Sequence, residues 1–201
     1  MTAQLGWIAA HSPAEDEMVR VTNATVAGHD EWDSPHYFTA LAWDGTRVFA
    51  TMVTVIDPGV RPQDYPPVLL EVMSKHLADR LRDKPGAAPV VACMLQVETF
   101  GLRTGPGGMI PEERAALHRG ELHMLPHRTE AVIVMTADIA GRMWSAAKER
   151  GWDGGPDEVL ADDIRCGEFP ELARRCASLA PPMYVAAARS FWARGGGDLG
   201  G

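Results

Sequence analysis

Residues 89–99 read PVVACMLQVET, and this apolar run decides the fold class. Val90 to Leu95 is uninterrupted by charge, yet it falls far short of the ~20 residues that a membrane-spanning helix needs. A breaker, Lys84-Pro85-Gly86, precedes the run, and glycines follow it. Such a short, bounded apolar run is typical of a strand buried on both faces. We therefore predict a central strand from Pro89 to Thr99.

A first strand pair is predicted upstream of the central strand. Tyr37 to Trp43 and Arg47 to Ile56 flank Asp44-Gly45, a dipeptide that favours tight hairpin turns. The second arm is rich in β-branched residues, which suit a pleated surface.

A second strand pair is predicted downstream. Ala131 to Ala137 is a further apolar run, and Asp138 to Gly141 turns the chain. Residues 142–149 are predicted to return as a strand. A short helix is the alternative, because Ala146 and Ala147 are poor strand formers.

Helices are predicted from apolar residues at helical spacing and from start and stop signals. The predicted helices are Ser12 to Gly28, Val68 to Arg82, Pro111 to Arg119, Pro170 to Ser178 and Met183 to Ala193. In the first of them, Ser12 is the expected cap, and Glu15 to Glu17 place negative charge at the positive end of the dipole.

The order of these elements predicts an α+β fold. A five-stranded antiparallel sheet flanked by helices accounts for this order of elements. We predict a single domain at residues 1–194, followed by a flexible tail at 195–201. The order resembles that of profilin-like and roadblock-like domains, an analogy of topology that implies no function.

Composition narrows the function classes. The chain has 201 residues, with 27 acidic and 19 basic side chains and a formal net charge of −8, which argues against nucleic acid and anionic membranes as partners. The apolar N-terminal residues lack the basic flank of a signal peptide. Three cysteines, Cys93, Cys166 and Cys176, form no CxxC pair, and we expect them to be reduced in the cytoplasm.

Four potential ligands of a divalent metal lie within residues 118–127: His118, Glu121, His123 and His127. Imidazole and carboxylate groups together can hold zinc or another divalent ion. Their spacing matches no familiar zinc motif, and Pro126 breaks the helix that would align His123 with His127. The alternative is a loop whose histidines bond backbone groups, and in that case no cofactor is expected.

Glu98 ends the central strand beside a glycine-rich stretch, where functional groups are common. We expect it to face Glu130 or His127 across paired strands, since a carboxylate and an imidazole so placed can exchange a proton. Glu98 and His127 are therefore the catalytic candidates if the chain is an enzyme. The alternative is that Glu98 lies at the solvated rim of the sheet.

Residues 142–152 combine basic and aromatic side chains: Arg142, Lys148, Arg150, Trp144 and Trp152. This combination can bind single-stranded nucleic acid, but interleaved acids argue against that use, and Trp144 is expected to be a packing residue. Three further motifs are absent from the sequence. The acidic loop at 29–36 lacks the spacing of an EF-hand calcium site, and the glycines at 101–108 lack the lysine and hydroxyl of a phosphate-binding loop. No serine lies in GxSxG, the motif of a hydrolase nucleophile.

Residues 125–151, LPHRTEAVIVMTADIAGRMWSAAKERG, resemble a segment of uncharacterised proteins of actinobacteria and their phages. The likeness rests on a strand that begins at a glutamate, an Asp-x-x-Gly turn and a strand ending in Arg-Gly. It implies no activity, and it favours a phage or mobile-element origin.

Three functions follow from these patterns. The first is a non-enzymatic interaction or assembly protein, with a protein partner or a second copy of itself bound at a sheet edge. The second is a small metal-dependent hydrolase that uses the histidines and glutamates named above. The third is a nucleic-acid-associated factor that uses residues 142–152.

Overall fold

The computed structural model describes residues 2–56, 65–84, 87–102, 108–151, 157–159 and 174–178. The helices in these ranges are α1 (Thr2–His11), α2 (Glu15–Ala27), α3 (Tyr65–Asp83), α4 (Pro111–Arg119) and α5 (174–178). The strands are β1 (His36–Trp43), β2 (Val48–Ile56), β3 (Val90–Leu102), β4 (Arg128–Asp138), β5 (Met143–Glu149) and β6 (Asp157–Val159). Outside these ranges lie Trp152, Cys166, the predicted helix at Met183 to Ala193 and the predicted tail at 195–201.

The strands form one sheet in the order β2-β1-β3-β4-β5-β6, and every neighbouring pair is antiparallel. The predicted five-stranded antiparallel sheet with flanking helices is therefore confirmed. The three-residue strand β6 extends it beyond β5. Its shortness explains why no strand pattern marked it in the sequence.

Strand β3 is central, as predicted, since it pairs with β1 on one side and with β4 on the other. Each residue from Val90 to Leu95 is buried. Because successive side chains of a strand point to opposite faces, an apolar run without alternation requires cover on both faces. The strand continues to Leu102, three residues past the predicted end at Thr99, because Gly101 and Leu102 still pair with β4.

The first hairpin turns at Asp44-Gly45, but four residues, 44–47, join the strands rather than this dipeptide alone. Gly45 has a φ of 94°, a value that glycine adopts without strain. Asp44 Oδ1 accepts hydrogen bonds of 2.9 Å from the backbone N–H groups of Thr46 and Arg47. These bonds, that of Arg47 first, hold the pKa of the exposed Asp44 carboxyl below its ordinary value.

The second hairpin also forms, and residues 143–149 are a strand rather than the alternative helix. Asp138 Oδ1 accepts from the N–H groups of Ala140 and Arg142, and Gly141 takes a φ of 81°. Ala146 is fully buried and shares a face with Thr136, which bonds Thr22 of α2. Burial beneath a helix thus outweighs the low strand propensity of alanine at this position.

Helix α2 packs on one face of the sheet, over β4 and β5. Thr22 Oγ1 lies 2.9 Å from Thr136 Oγ1 and donates to the carbonyl of Met18, so this buried polar contact is satisfied. Fully buried Phe38, Leu95 and Met135 lie on the opposite face. The hydrophobic cluster to which they belong also includes buried residues of α2 and of α3: Met18, Val26, Leu69, Met73 and Leu77.

The N-terminal region differs from prediction, because two helices replace one. The Ser12 hydroxyl donates to the carbonyl of Ile8 and so closes the end of α1 rather than capping α2. Ala14, in an extended conformation, precedes α2 without a side-chain cap. The acids Glu15 to Glu17 do occupy the first turn of α2, as predicted.

Helix α3 begins at Tyr65, three residues before the predicted start at Val68. Pro66 and Pro67 lie in its first turn, where the N–H groups have no intrahelical partners, so prolines cost no hydrogen bond there. No helix in the described ranges is long and apolar enough to cross a membrane.

Candidate functional site

Glu98 lies on β3 and faces the loop that joins α2 to β1 (residues 28–35, the α2–β1 loop). Its Oε2 accepts from the backbone N–H of Asp33 at 2.9 Å. Its Oε1 accepts from the backbone N–H and the hydroxyl of Ser34, at 3.1 and 2.7 Å. Asp33 has a φ of 61°, a left-handed conformation that costs energy outside glycine. Glu98 therefore holds a strained turn of this loop against the sheet.

The expected facing of Glu98 toward Glu130 or His127 does not occur. Val132 lies opposite Glu98 in the register, whereas Glu130 lies opposite Phe100. Glu130 accepts instead from Arg150 at 2.6 Å, and His127 contacts another carboxylate entirely. The alternative of a solvated rim also fails, since the side chain of Glu98 is only 18% exposed.

Two histidines, His29 and His36, lie near Glu98, and His29 is the one whose ring approaches its carboxylate at a defined distance. Its side chain is 4% exposed, with Nε2 lying 3.2 Å from Glu98 Oε1, at ion-pair distance but without the alignment of a hydrogen bond. Nδ1 lies 3.0 Å from Nε2 of Gln96. Because an amide nitrogen only donates, Nδ1 is the acceptor in the contact with Gln96. Both nitrogens thus face protein groups, which leaves neither poised as a general base.

Two basic residues of the β5 end bind the same loop. Lys148 Nζ donates to the carbonyl of His29 at 3.0 Å, beside the C-terminal end of α2, where a cation is favourable. Arg150 bridges Glu130 and Asp33, and its guanidinium lies 5.5 Å from the centre of the Trp32 ring. The hydrogen bond to Glu130, followed by that to Asp33, raises the pKa of Arg150.

Arg142, the remaining basic residue of the predicted nucleic-acid surface, is also engaged. It bonds Asp138 and the carbonyl of Pro13, and lies 5.2 Å from the centre of the Trp144 ring. Trp144 is 9% exposed and is a packing residue, as expected. The basic side chains that the structure describes in residues 142–152 therefore all contact groups of this chain.

A cleft of about 490 Å³ opens beside His29, between the end of α2 and the sheet. Its lining is mainly polar and comprises Ala24, Thr25, Gly28, His29, Asp30, Glu31, Ser34, Tyr37 and Gln96. A second groove of about 640 Å³ lies across the ends of β4 and β5, between Arg128 and Arg150. Neither concavity brings the predicted pair Glu98 and His127 together.

The four predicted metal ligands do not converge. His127 Nε2 lies 2.7 Å from Glu113 Oε1, Glu121 pairs with Arg119, and the His123 ring lies 6.1 Å from that of Phe100. The exposed His118 occupies the last turn of α4, which Gly120 ends with a φ of 70°. Within the described ranges, no three His, Cys, Asp or Glu side chains are placed to hold a metal ion.

Glu113 is a partner that the sequence analysis missed. Its Oε2 accepts from the N–H of Ile110 at 2.8 Å, which caps α4. This bond first, and His127 second, lower the pKa of the Glu113 carboxyl. A glutamate at the third helical position is half of the capping-box signal, but Ile110 stands where that signal has Ser or Thr, so this role was only partly predictable. The partners of Glu98 were not, since they depend on the strand register.

The outer edge of β2 is the remaining candidate surface. This strand lies at one end of the sheet that the described residues form, and its nine residues, VFATMVTVI, include no charge and no proline. Val53 and Val55 are 60% and 58% exposed. Strand edges of this length normally carry a charge or a proline that prevents pairing with another chain.

Comparisons with known proteins add no assignment. No family model matches the chain, and the searches of curated proteins and of solved structures found no match either.

Proposed function

We propose that this chain is a non-enzymatic, cytoplasmic interaction protein that self-associates through the outer edge of β2. The observation that carries the proposal is an uncharged edge strand of nine residues with two exposed valines. An edge strand presents unpaired N–H and C=O groups, which a second strand can satisfy. The opposite edge of the described sheet is the three-residue β6, which offers far fewer such groups.

The uncharged β2 edge is the place where a second copy can approach despite the net charge of the chain. Each chain carries a net charge of −8, so two copies repel each other over most approaches. The β2 segment carries none of that charge. Antiparallel pairing of two β2 strands about a two-fold axis is closed, and it joins Val53 and Val55 of both copies into one apolar patch. The product is a single sheet that runs through both chains.

The oligomeric state tests this proposal. The wild-type chain is expected to form dimers in sedimentation velocity or in size-exclusion chromatography with light scattering, across a concentration series. Val53→Lys and Val55→Lys place charges in the interface, so each should raise the dimer Kd by about tenfold or more.

A matched control uses Met124→Lys, since Met124 is a 72% exposed apolar residue remote from β2 in sequence. That variant should dimerise as the wild type does. A wild-type chain that stays monomeric at every concentration contradicts the proposal, as does a dimer that both β2 variants leave unchanged.

The two alternative functions find less support. The hydrolase proposal needs His118, Glu121, His123 and His127 to meet, and three of them contact other groups. The nucleic-acid proposal needs free cations, and the described ones of residues 142–152 bind carboxylates or carbonyls of this chain. A phage or mobile-element origin stays a prediction from the resemblance of residues 125–151, and the neighbouring genes would test it.

A further inference from the structure

Helix α2 binds the start of strand β2. Glu17, in the first turn of α2, accepts a hydrogen bond of 2.7 Å from the backbone N–H of Val48, the first residue of β2. Arg20 donates to the same carboxylate at 2.6 and 2.7 Å. The side chain of Glu17 is only 14% exposed. Because Glu17 already binds this N–H, Val48 cannot donate it to the backbone of another chain.

A β-bulge interrupts β2 a few residues later. The register with β1 shifts between Ala40 and Leu41, so that Thr51 is an extra residue between the partners of these two. The Thr51 hydroxyl donates to the carbonyl of Ala40 at 3.2 Å, which ties the bulge to the neighbouring strand. A bulge bends its strand and disrupts the ladder locally, and it is one of the devices that limit pairing at a sheet edge. Regular pairing by a further strand is therefore expected only beyond Thr51.

The regular part of the β2 edge is the segment Met52–Ile56. It pairs with residues 36–40 of β1 in an unbroken register. The segment has no charged residue, and its two exposed side chains are Val53 and Val55, at 60% and 58%. Because these valines lie two positions apart in a strand, their side chains point to the same face of the sheet.

We propose that two copies pair these segments antiparallel about a two-fold axis at Thr54, an inference that rests on the self-association proposed above. About such an axis, the central residue lies opposite its own copy, and residues equally far on either side of it lie opposite each other. Centring the pair on Thr54 places every residue of Met52–Ile56 opposite another residue of the same segment. Any other centre pairs fewer of these residues with one another.

This register places Val53 of each copy opposite Val55 of the other. Within its own chain, Val53 lies opposite Thr39 and Val55 lies opposite Tyr37. Each exposed valine would therefore lie between β1 of its own chain and β2 of the other copy. Pairs of β-branched residues directly opposite each other stabilise antiparallel strands. The register thus removes from water the two side chains that the free edge exposes most.

Cysteine cross-linking of the full chain tests the register. Directly opposed residues have Cα atoms about 4.5–5.5 Å apart, which a disulfide can span, whereas diagonal neighbours, at about 7–8 Å, are too far apart. Thr54→Cys should therefore form a disulfide-linked dimer with itself under mild oxidation. Val53→Cys and Val55→Cys should each stay unlinked alone and should cross-link when the two variants are mixed. The wild-type chain, with its own three cysteines, sets the background on a non-reducing gel.

Ala50→Cys is the matched control, since Ala50 is an exposed residue of the same strand on the other side of the bulge. It should stay at the wild-type background, because Ala50 lies outside the paired segment. A dimer that cross-links through Ala50→Cys, or through Val53→Cys or Val55→Cys alone, overturns the register and leaves self-association intact. So does a dimer that cross-links neither through Thr54→Cys nor in the mixture. A chain that is monomeric by light scattering and cross-links at no position overturns the proposed function, and the register with it.

Discussion

Two carboxylates of this fold, Glu98 and Glu113, each accept backbone N–H groups and each lie beside a histidine, yet they act over very different distances. Glu98 binds Asp33 and Ser34, which lie 65 and 64 positions away in the sequence. Glu113 caps its own helix by binding Ile110, three positions away. The side chain of His29, beside Glu98, is 4% exposed, whereas that of His127, beside Glu113, is 49% exposed.

Glu98 is a tertiary anchor, a side chain that ties distant parts of the chain together, whereas Glu113 is a local cap of its own helix. Glu98 joins the central strand to a loop whose strained turn depends on it. Removing Glu98 should therefore lower the free energy of unfolding of the whole domain. Glu113 stabilises the start of one short helix at the surface, so its loss should stay within that helix. Both residues are glutamates beside a histidine, and their side chains are similarly covered, at 18% and 11% exposed. What differs is the separation in sequence of their backbone partners and the number of hydrogen bonds that each accepts.

The largest effect is expected from Glu98→Ala. The substitution removes an acceptor from three hydrogen bonds and leaves two loop N–H groups without a partner. The free energy of unfolding in urea should fall by about 3 kcal/mol. Glu98→Gln, which keeps one acceptor oxygen, should lose less.

Glu31→Ala is the control for this prediction, because Glu31 is an exposed acid of the same loop. Its free energy of unfolding should stay within about 0.5 kcal/mol of the wild type. Equal losses in the Glu31 and Glu98 variants would remove the distinction between an anchor and an ordinary surface acid.

An intermediate effect is expected from pH near the Glu98 anchor. Burial lowers the pKa of His36 below its ordinary value of 6.5, while the backbone and the charge of Glu98 oppose that shift. The unfolded chain then binds the proton more tightly than the folded chain does. Stability should therefore be full above pH 6.5 and fall as the pH drops through the lowered pKa of His36.

Urea unfolding at a series of pH values measures how steeply the free energy of unfolding changes with pH. His76, whose pKa is also lowered by burial and then by Arg80, contributes in the same window. His36→Gln should flatten the slope in part, and the double variant with His76→Gln should flatten it further. A slope that persists undiminished in the double variant would assign the effect to other groups.

The smallest effect is expected from Glu113→Ala. Backbone amides of α4 should exchange faster with deuterium, because the cap at Ile110 is lost, while amides of β3 should keep their protection. The lowered pKa of Glu113 means that its contribution is present above pH 4.5 and is lost as the pH falls through the folded value. Faster exchange in β3 as well would make Glu113 a second anchor.

The architecture was largely predictable from the sequence. The apolar run at Val90 to Leu95, the Asp44-Gly45 turn and the Asp138 to Gly141 turn each act locally, and each led to the strand that the structure contains. The N-terminal helices were misjudged because a serine before a proline can close one helix as well as open the next. The choice between these two roles depends on packing.

The candidate site was less predictable than the fold. Glu98 was singled out for its place at a strand end, but its partners come from a loop more than 60 positions earlier, and no local pattern encodes that contact. The histidine that lies beside it, His29, was considered only as part of an acidic loop. The four residues of the predicted metal cluster are close in sequence, yet three of them contact different groups: Glu121 contacts Arg119, His123 contacts Phe100 and His127 contacts Glu113.

The strand order has a consequence for how the chain folds. Strands β1 and β2 meet through a four-residue turn, and β4 and β5 through another, so both pairs can close quickly. Strands β1 and β3 are separated in the sequence by β2, α3 and their connections, so their pairing requires the closure of a long loop. Pairing β1 with β3 therefore costs more loop-closure entropy than closing either hairpin. This pairing contributes strongly to the contact order of the domain, which is the mean sequence separation of its contacts.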